Sequence, residues 1–159
     1  MEELFCDGGL IGRNPSREGG TWAWRLVIDG VAVRSDSGIL RPSDIGTEMI
    51  TNNNTELYAI LRAIDEVPTG WRGRLSSDSR VALGWVFKRY DSRRVPDVLL
   101  RMLLAIRDTA VTKNIVPRLL QGHPTREDLD CGIGARRDLP VSVHQEWCDR
   151  ECGRMAARP

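Results

Sequence analysis

Apolar and polar residues alternate in three short runs near the start of the chain, at 2–7 (EELFCD), 21–28 and 31–39. Asp29-Gly30 between the second and third runs is a tight-hairpin signal, so the three predict an antiparallel meander. The period then changes. Across 51–64, TNNNTELYAILRAI, the apolar residues Leu57, Ile60, Leu61 and Ile64 recur at helical spacing behind a polar cap, and Val67-Pro68 with Gly70 ends the helix. A fourth strand is predicted at 73–77 and a second helix from Asp78-Ser79 through Tyr90. A third helix runs from Pro96-Asp97 through about Thr109, with Leu99, Met102, Leu103 and Ile106 as its stripe. A fifth strand at 115–120 ends in Gln121-Gly122-His123-Pro124. Residues 124–143, charged and broken by glycine, read as a long loop, and 144–157 as a closing helix.

This order predicts an α/β fold without internal repeats. With 159 residues, the chain is expected to make one domain, 1–159, large enough to bury a core unaided. Its 41% apolar and 28% charged composition is that of an ordinary soluble globular protein. A net charge of +1 gives no global attraction to nucleic acid, so any such contact must come from local patches. MEELF lacks the basic flank and apolar run of a signal peptide, and the greasiest segment, 98–106, is broken by Arg101 and too short to span a bilayer. A cytoplasmic location without membrane contact is expected. The four cysteines fit free buried thiols.

Candidate chemistry lies in the acids. Glu56, four residues before Ile60, falls on the inward half of its helix, where an unpaired carboxylate is costly. Asn53 and Glu56 also have the spacing of a capping box, which would make Glu56 a local cap instead. Asp7 leaves its strand on the face of Phe5, or else simply opens a Gly-Gly turn. Asp78 stands where a strand hands over to a helix, a place of ligand sites and also of N-caps. Asp149 shares a helix side with Cys152 and Ala156. Four inward carboxylates without matching bases would repel one another unless divalent cations compensated them. All-oxygen ligation suits Mg²⁺ or Mn²⁺. Two such ions about 3.5–4 Å apart form the arrangement that cleaves phosphodiesters.

Two other groupings stand out. Lys88, Arg89, Arg93 and Arg94 cluster round Tyr90, as a solvated surface or a phosphate contact would. His144, Cys148 and Cys152 fall at i, i+4 and i+8, and Cys131 or His123 would complete a zinc tetrahedron, although the spacing is that of no known finger.

The element order, Asp-Gly in the first strand, TNN-x-x-E at the first helix, DS after the fourth strand, GH after the fifth and Cys-Asp in the last helix together resemble type 1 ribonuclease H over nearly the whole chain. The resemblance implies a mixed sheet of three antiparallel and two parallel strands flanked by helices. It implies an endoribonuclease that cuts the RNA strand of RNA/DNA hybrids; a monomer is expected, although the sequence does not fix the oligomeric state. Asp7 would bridge two Mg²⁺ ions, with Asp149 on the attacking-water side and Glu56 and Asp78 on the leaving-group side. His123 matches a mobile histidine that assists proton transfer or product release. Asn52 and Asn53 match contacts to the hybrid's minor groove, and the backbone at Gly8 a reader of 2′-hydroxyls. Asn14 and Arg80 match further substrate contacts. Two features depart from the family pattern: the basic handle between the middle helices is reduced to Lys88, Arg89, Arg93 and Arg94, and the interval from His123 to Asp149 is longer. In that interval Arg136 and Arg137 read as solvated or as gripping substrate. Alternatives are a nuclease of the same fold acting on DNA, resolvase or transposase-like, and a noncatalytic hybrid-binding module.

Overall fold

The computed structural model describes residues 1–107 and 113–158. Its central strand, β1 (Glu2–Leu10), buries Leu4, Phe5, Cys6 and Asp7 in succession, as a strand covered on both faces must. β2 (Gly20–Ile28) pairs with it antiparallel, from Glu2 opposite Ile28 to Leu10 opposite Gly20. β3 (Val31–Leu40) follows through the Asp29-Gly30 turn, where φ of 48° and 82° supplies the positive dihedrals that a two-residue hairpin needs. On the other side β4 (Arg74–Ser77) pairs parallel with β1, and β5 (Val116–Leu119) parallel with β4. The result is a mixed five-stranded sheet in the order β3-β2-β1-β4-β5, the α/β architecture that the sequence pattern predicts.

Helices α1 (Asn52–Asp65), α2 (Arg80–Phe87) and α3 (Asp97–Ile106) cover one face. Their Leu57, Ile60, Leu83, Leu99 and Leu103 form the main core with Leu4, Cys6, Trp22 and Trp24 of the sheet. Fully burying a leucine or isoleucine stabilises the fold by about 1.5–3 kcal/mol, so α1 is the principal anchor of this layer. The opposite face carries a smaller core of Phe5, Ala23, Val27 and Leu120 under the C-terminal helix. A short helix, α4 (Arg126–Cys131), and a small antiparallel hairpin of β6 (Ile133–Gly134) and β7 (Leu139–Pro140) precede that helix, α5 (Val143–Ala156). Among the described residues no helix is long and apolar enough to cross a membrane.

Three local expectations are corrected. The cap of α1 is Thr51, whose side chain accepts from Asn54 N at 3.2 Å while Asn54 Oδ1 accepts from Thr51 N at 3.0 Å. The Asn53–Glu56 capping box does not form, because the box sits two residues earlier and leaves Glu56 free to point inward. The second helix stops at Phe87, before Tyr90, since Lys88 leaves helical geometry at φ −124° and ψ −90°. Residues 124–143 are not an irregular loop: Thr125 and Asp128 form a capping box that starts α4, and Gly132 ends it in the left-handed conformation. The expected end of the third helix at Thr109 lies outside the described residues; α3 runs to Ile106.

One close approach positions everything at the upper end of the sheet. A Cβ on Gly8 would overlap the backbone of Thr55 and Glu56, so only glycine lets β1 lie directly against the first turns of α1. Gly8→Ala is therefore expected to destabilise the fold by about 1–3 kcal/mol through overpacking, read by urea denaturation. Gly84→Ala, inside α2 where an added Cβ meets nothing within 4 Å, is expected to stabilise it by about 0.5–1 kcal/mol. Equal effects of the two substitutions would refute this account of Gly8.

Candidate active site

Three carboxylates from three elements meet beside Gly8. Asp7 comes from β1, Glu56 from the second turn of α1, and Asp78 from the link between β4 and α2. Ligand oxygens of the three lie within 4.8 Å of one another. Asp7 and Glu56 are buried, at 4% and 7% exposure. Gly8 N donates to Asp7 Oδ1 at 2.9 Å and to Glu56 Oε2 at 3.2 Å, so the glycine that allows the approach also ties the two acids together. Asp78 is not an N-cap, because Ser79 takes that role by accepting from Ala82 N at 3.2 Å. That frees the Asp78 carboxylate to face the cluster. Gly122 leaves room for it, since a Cβ there would overlap Asp78 Oδ2.

The electrostatics are strained in one direction. Burial first, then the Glu56, Asp78 and Asp149 charges, push the Asp7 carboxyl well above the usual aspartate range; the Gly8 N–H opposes them. Burial and then the Asp78 charge do the same to Glu56. Asp78 is raised by burial, and the nearby His123 partly offsets this. The site lacks positive charge at its centre. Asp78 Oδ1 is buried without a hydrogen-bond partner among the described residues. An orphaned carboxylate oxygen within an all-oxygen donor set fits a hard divalent cation.

Asp149 and His123 stand at the rim. Asp149, on α5, is 40% exposed in its side chain and outside the tight group, although its charge is felt by all three inner acids. His123 Nδ1 lies 3.3 Å from Asp149 Oδ2, with the histidine backbone at φ 50° and its side chain exposed. The longer interval after His123 thus does not carry the two apart. Asn52 and Asn53 are exposed at the start of α1, and Asn14 Oδ1 accepts from Asn52 N at 3.3 Å. Arg80 is exposed in the first turn of α2.

The zinc grouping does not converge. His144 Nε2 approaches Gly30 O at 3.3 Å and its ring packs on Phe5. The thiols of Cys148 and Cys152 donate to Phe5 O and Asp7 O, at 3.6 and 3.5 Å, while Cys131 is exposed. These are buried thiols capping carbonyls of β1. The cluster round Tyr90 is partly neutralised, as Arg93 and Arg94 both pair with Asp91 at 3.2 and 3.6 Å.

Sequence reasoning missed Gln121, Gly122 and Asp128. Thr125-x-x-Asp128 has the pattern of a capping box and was the available signal for the fold of this segment. Gly122 was visible only as half of a Gly-His pair, and nothing local marks its contact with Asp78.

Carboxylates gather at the head of the central strands of a mixed sheet, and comparison with known proteins shows the family to which this arrangement belongs. Over 140 residues the chain is 31% identical to the ribonuclease H of Campylobacter curvus (strain 525.92), covering 80% of this chain and 86% of that one. It is 32% identical over 139 residues to the ribonuclease H of Anaeromyxobacter dehalogenans (strain 2CP-C), covering 79% and 74%. The chain belongs to the ribonuclease H family. No family model matches the sequence. Among solved structures, RNase H1 of the halophilic archaeon Halobacterium salinarum NRC-1 aligns with a TM-score of 0.57 at 20% identity, covering 76% of this chain and 86% of that one. LC11-RNase H1, isolated from compost by a metagenomic approach, aligns with a TM-score of 0.62 at 16% identity over 98% and 94% of the two chains. These structures share the fold.

Because the inner acids hold protons more tightly folded than unfolded, their contribution to stability is greatest in acid. It is lost as pH rises from the unfolded carboxylate range through the raised folded values. In chelator, the protein is expected to lose stability as pH rises above the ordinary carboxylate range. Asp78→Asn is expected to recover about 0.5–2 kcal/mol at the upper end, followed by thermal unfolding. A stability profile identical in the variant would contradict the repulsion.

Proposed function

We propose that the protein is an endoribonuclease that hydrolyses the RNA strand of RNA/DNA hybrids, leaving 5′-phosphate and 3′-hydroxyl ends, with two Mg²⁺ ions, or Mn²⁺ in their place. The observation that carries this reading is the convergence of Asp7, Glu56 and Asp78 around an unpartnered carboxylate oxygen. LC11-RNase H1, which has also been solved in complex with an RNA/DNA hybrid, aligns in that form with a TM-score of 0.53 at 19% identity, over 95% of this chain and 99% of that one. Family membership favours the same substrate here.

Asp7, Glu56, Asp78 and Asp149 would hold the ions. Bound there, divalent cations supply neutralisation of charge and activation of water for phosphodiester cleavage. The chain's own part is to orient and to exclude. Gly8 N–H fixes the Asp7 and Glu56 carboxylates in place before substrate arrives. His123, exposed beside Asp149, would move a proton at the leaving oxygen or help release product. The exposed Asn52 and Asn53, with Asn14 bracing the backbone of Asn52, would meet the minor groove, where 2′-hydroxyls distinguish RNA from DNA. Arg80 would add a phosphate contact from α2. A single chain supplies all of these groups, so the protein would act as a monomer.

The test is cleavage of labelled RNA/DNA hybrid, duplex DNA and duplex RNA in Mg²⁺. Hybrid-selective cutting is expected, and Asp7→Asn is expected to lower kcat by at least about 10³-fold with the fold retained. Preferential cutting of duplex DNA would replace this reading with a resolvase-like one. Tight hybrid binding without turnover would replace it with a noncatalytic module.

A further inference from the structure

The segment between β5 and α5 places two adjacent arginines at the rim of the acidic site and gives them different roles. Its scaffold is a buried polar latch. Gln121, 2% exposed, uses both ends of its amide: Oε1 accepts from Arg137 N at 2.9 Å, and Nε2 donates to Asp128 Oδ2 at 3.4 Å. Asp128 also accepts from Ala135 N at 2.9 Å and Thr125 N at 2.9 Å, and these bonds hold its carboxyl below the ordinary range. The backbone from Ala135 to Arg137 is therefore fixed against the strand end that bears Gly122 and His123.

From this platform the two side chains diverge. Arg136 turns back, donating from Nη2 to Gly122 O at 3.0 Å, and so braces the turn that makes room for Asp78. Arg137 is exposed and has no side-chain partner among the described residues, yet its charge reaches Asp78. A guanidinium at the edge of a group of carboxylates is placed where an incoming polyanion most needs a cation. Its planar fork matches phosphate oxygens.

The geometry points to Arg137 as a substrate-positioning residue that binds a backbone phosphate next to the one being cleaved, its main chain held by the Gln121–Asp128 latch. This inference rests on the nuclease reading above and adds a contact that the three asparagines and the acids do not supply. An exposed arginine on a flexible loop would make a diffuse contact. Here the backbone hydrogen bond to a buried glutamine limits where the guanidinium can reach.

The test compares hybrid binding by Asp7→Asn protein with and without Arg137→Gln, by fluorescence anisotropy across a range of KCl concentrations. In parallel, steady-state cleavage is measured for Arg137→Gln in the otherwise unchanged chain. Loss of one phosphate contact is expected to weaken binding about 3- to 10-fold and to reduce the slope of log affinity against log salt by about 0.9. KM is expected to rise in proportion while kcat stays within about twofold. Arg126→Gln, an exposed arginine of α4 outside these contacts, is expected to change neither quantity. An unchanged salt slope in Arg137→Gln overturns the proposal. So does a fall in kcat with binding intact, which would mean that Arg137 acts only through Asp78. Failure of the unchanged protein to cleave any hybrid counts against the nuclease reading instead, and the salt slope still decides the role of Arg137.

Discussion

Negative charge held out of water at the head of β1 is the constraint on which the site depends. Asp7 and Glu56 are almost fully buried, on elements whose apolar residues, among them Leu4, Cys6, Leu57 and Ile60, belong to the main core. In such surroundings carboxylates repel strongly and water cannot screen them. The fold tolerates this through the rigidity of its other contacts: a strand paired on both edges, a helix capped by Thr51, and a glycine that brings the two within backbone contact. Stability is given up at one end of the sheet to keep the acids pointed inward, the usual relation between a functional site and its scaffold.

The same constraint explains the division of labour around the rim. Groups that cannot be neutralised internally are met by partial positive charge at the edge: the Gly8 N–H from within, His123 beside Asp149, and Arg137 near Asp78. Only the neutral Gly8 N–H reaches the inner carboxylates; the His123 and Arg137 side chains stand outside them. A cation placed there permanently would occupy the position that a divalent ion fits, so the protein keeps its own positive groups outside.

The sheet was legible in the sequence because its signals are local. Alternation in β1 to β3, the Asp29-Gly30 turn and the Leu57-Ile60-Leu61-Ile64 stripe each depend on neighbours within a few positions. The inward direction of Glu56 was legible too, with a cation-compensated group of acids as its reason, while the local choice of helix cap was not. Both Asn53 and Thr51 have capping partners three residues on, and the box that forms is the one at Thr51. Asp78 was ambiguous in the same way until Ser79 was seen to cap α2. The segment after His123 was the least legible, since its order comes from Gln121, a polar residue whose burial depends on Asp128 and Arg137 closing over it. Pairing of that kind, between residues seven and sixteen positions apart with no periodicity, leaves little trace in sequence pattern.

The way this segment joins the sheet has a consequence for how the chain tolerates change. It leaves at Gln121 and returns at Pro140, and the hydrogen bond from Gln121 N to Pro140 O, at 3.0 Å, closes its base like a clasp. Everything beyond that clasp is a side excursion. Because the entropy of closing a loop grows only with the logarithm of its length, the length of the excursion by itself costs the sheet little, provided the Gln121–Asp128 latch is kept. The clasp brings the chain back beside its point of departure, so residues as far apart along the chain as His123 and Asp149 stand side by side in space.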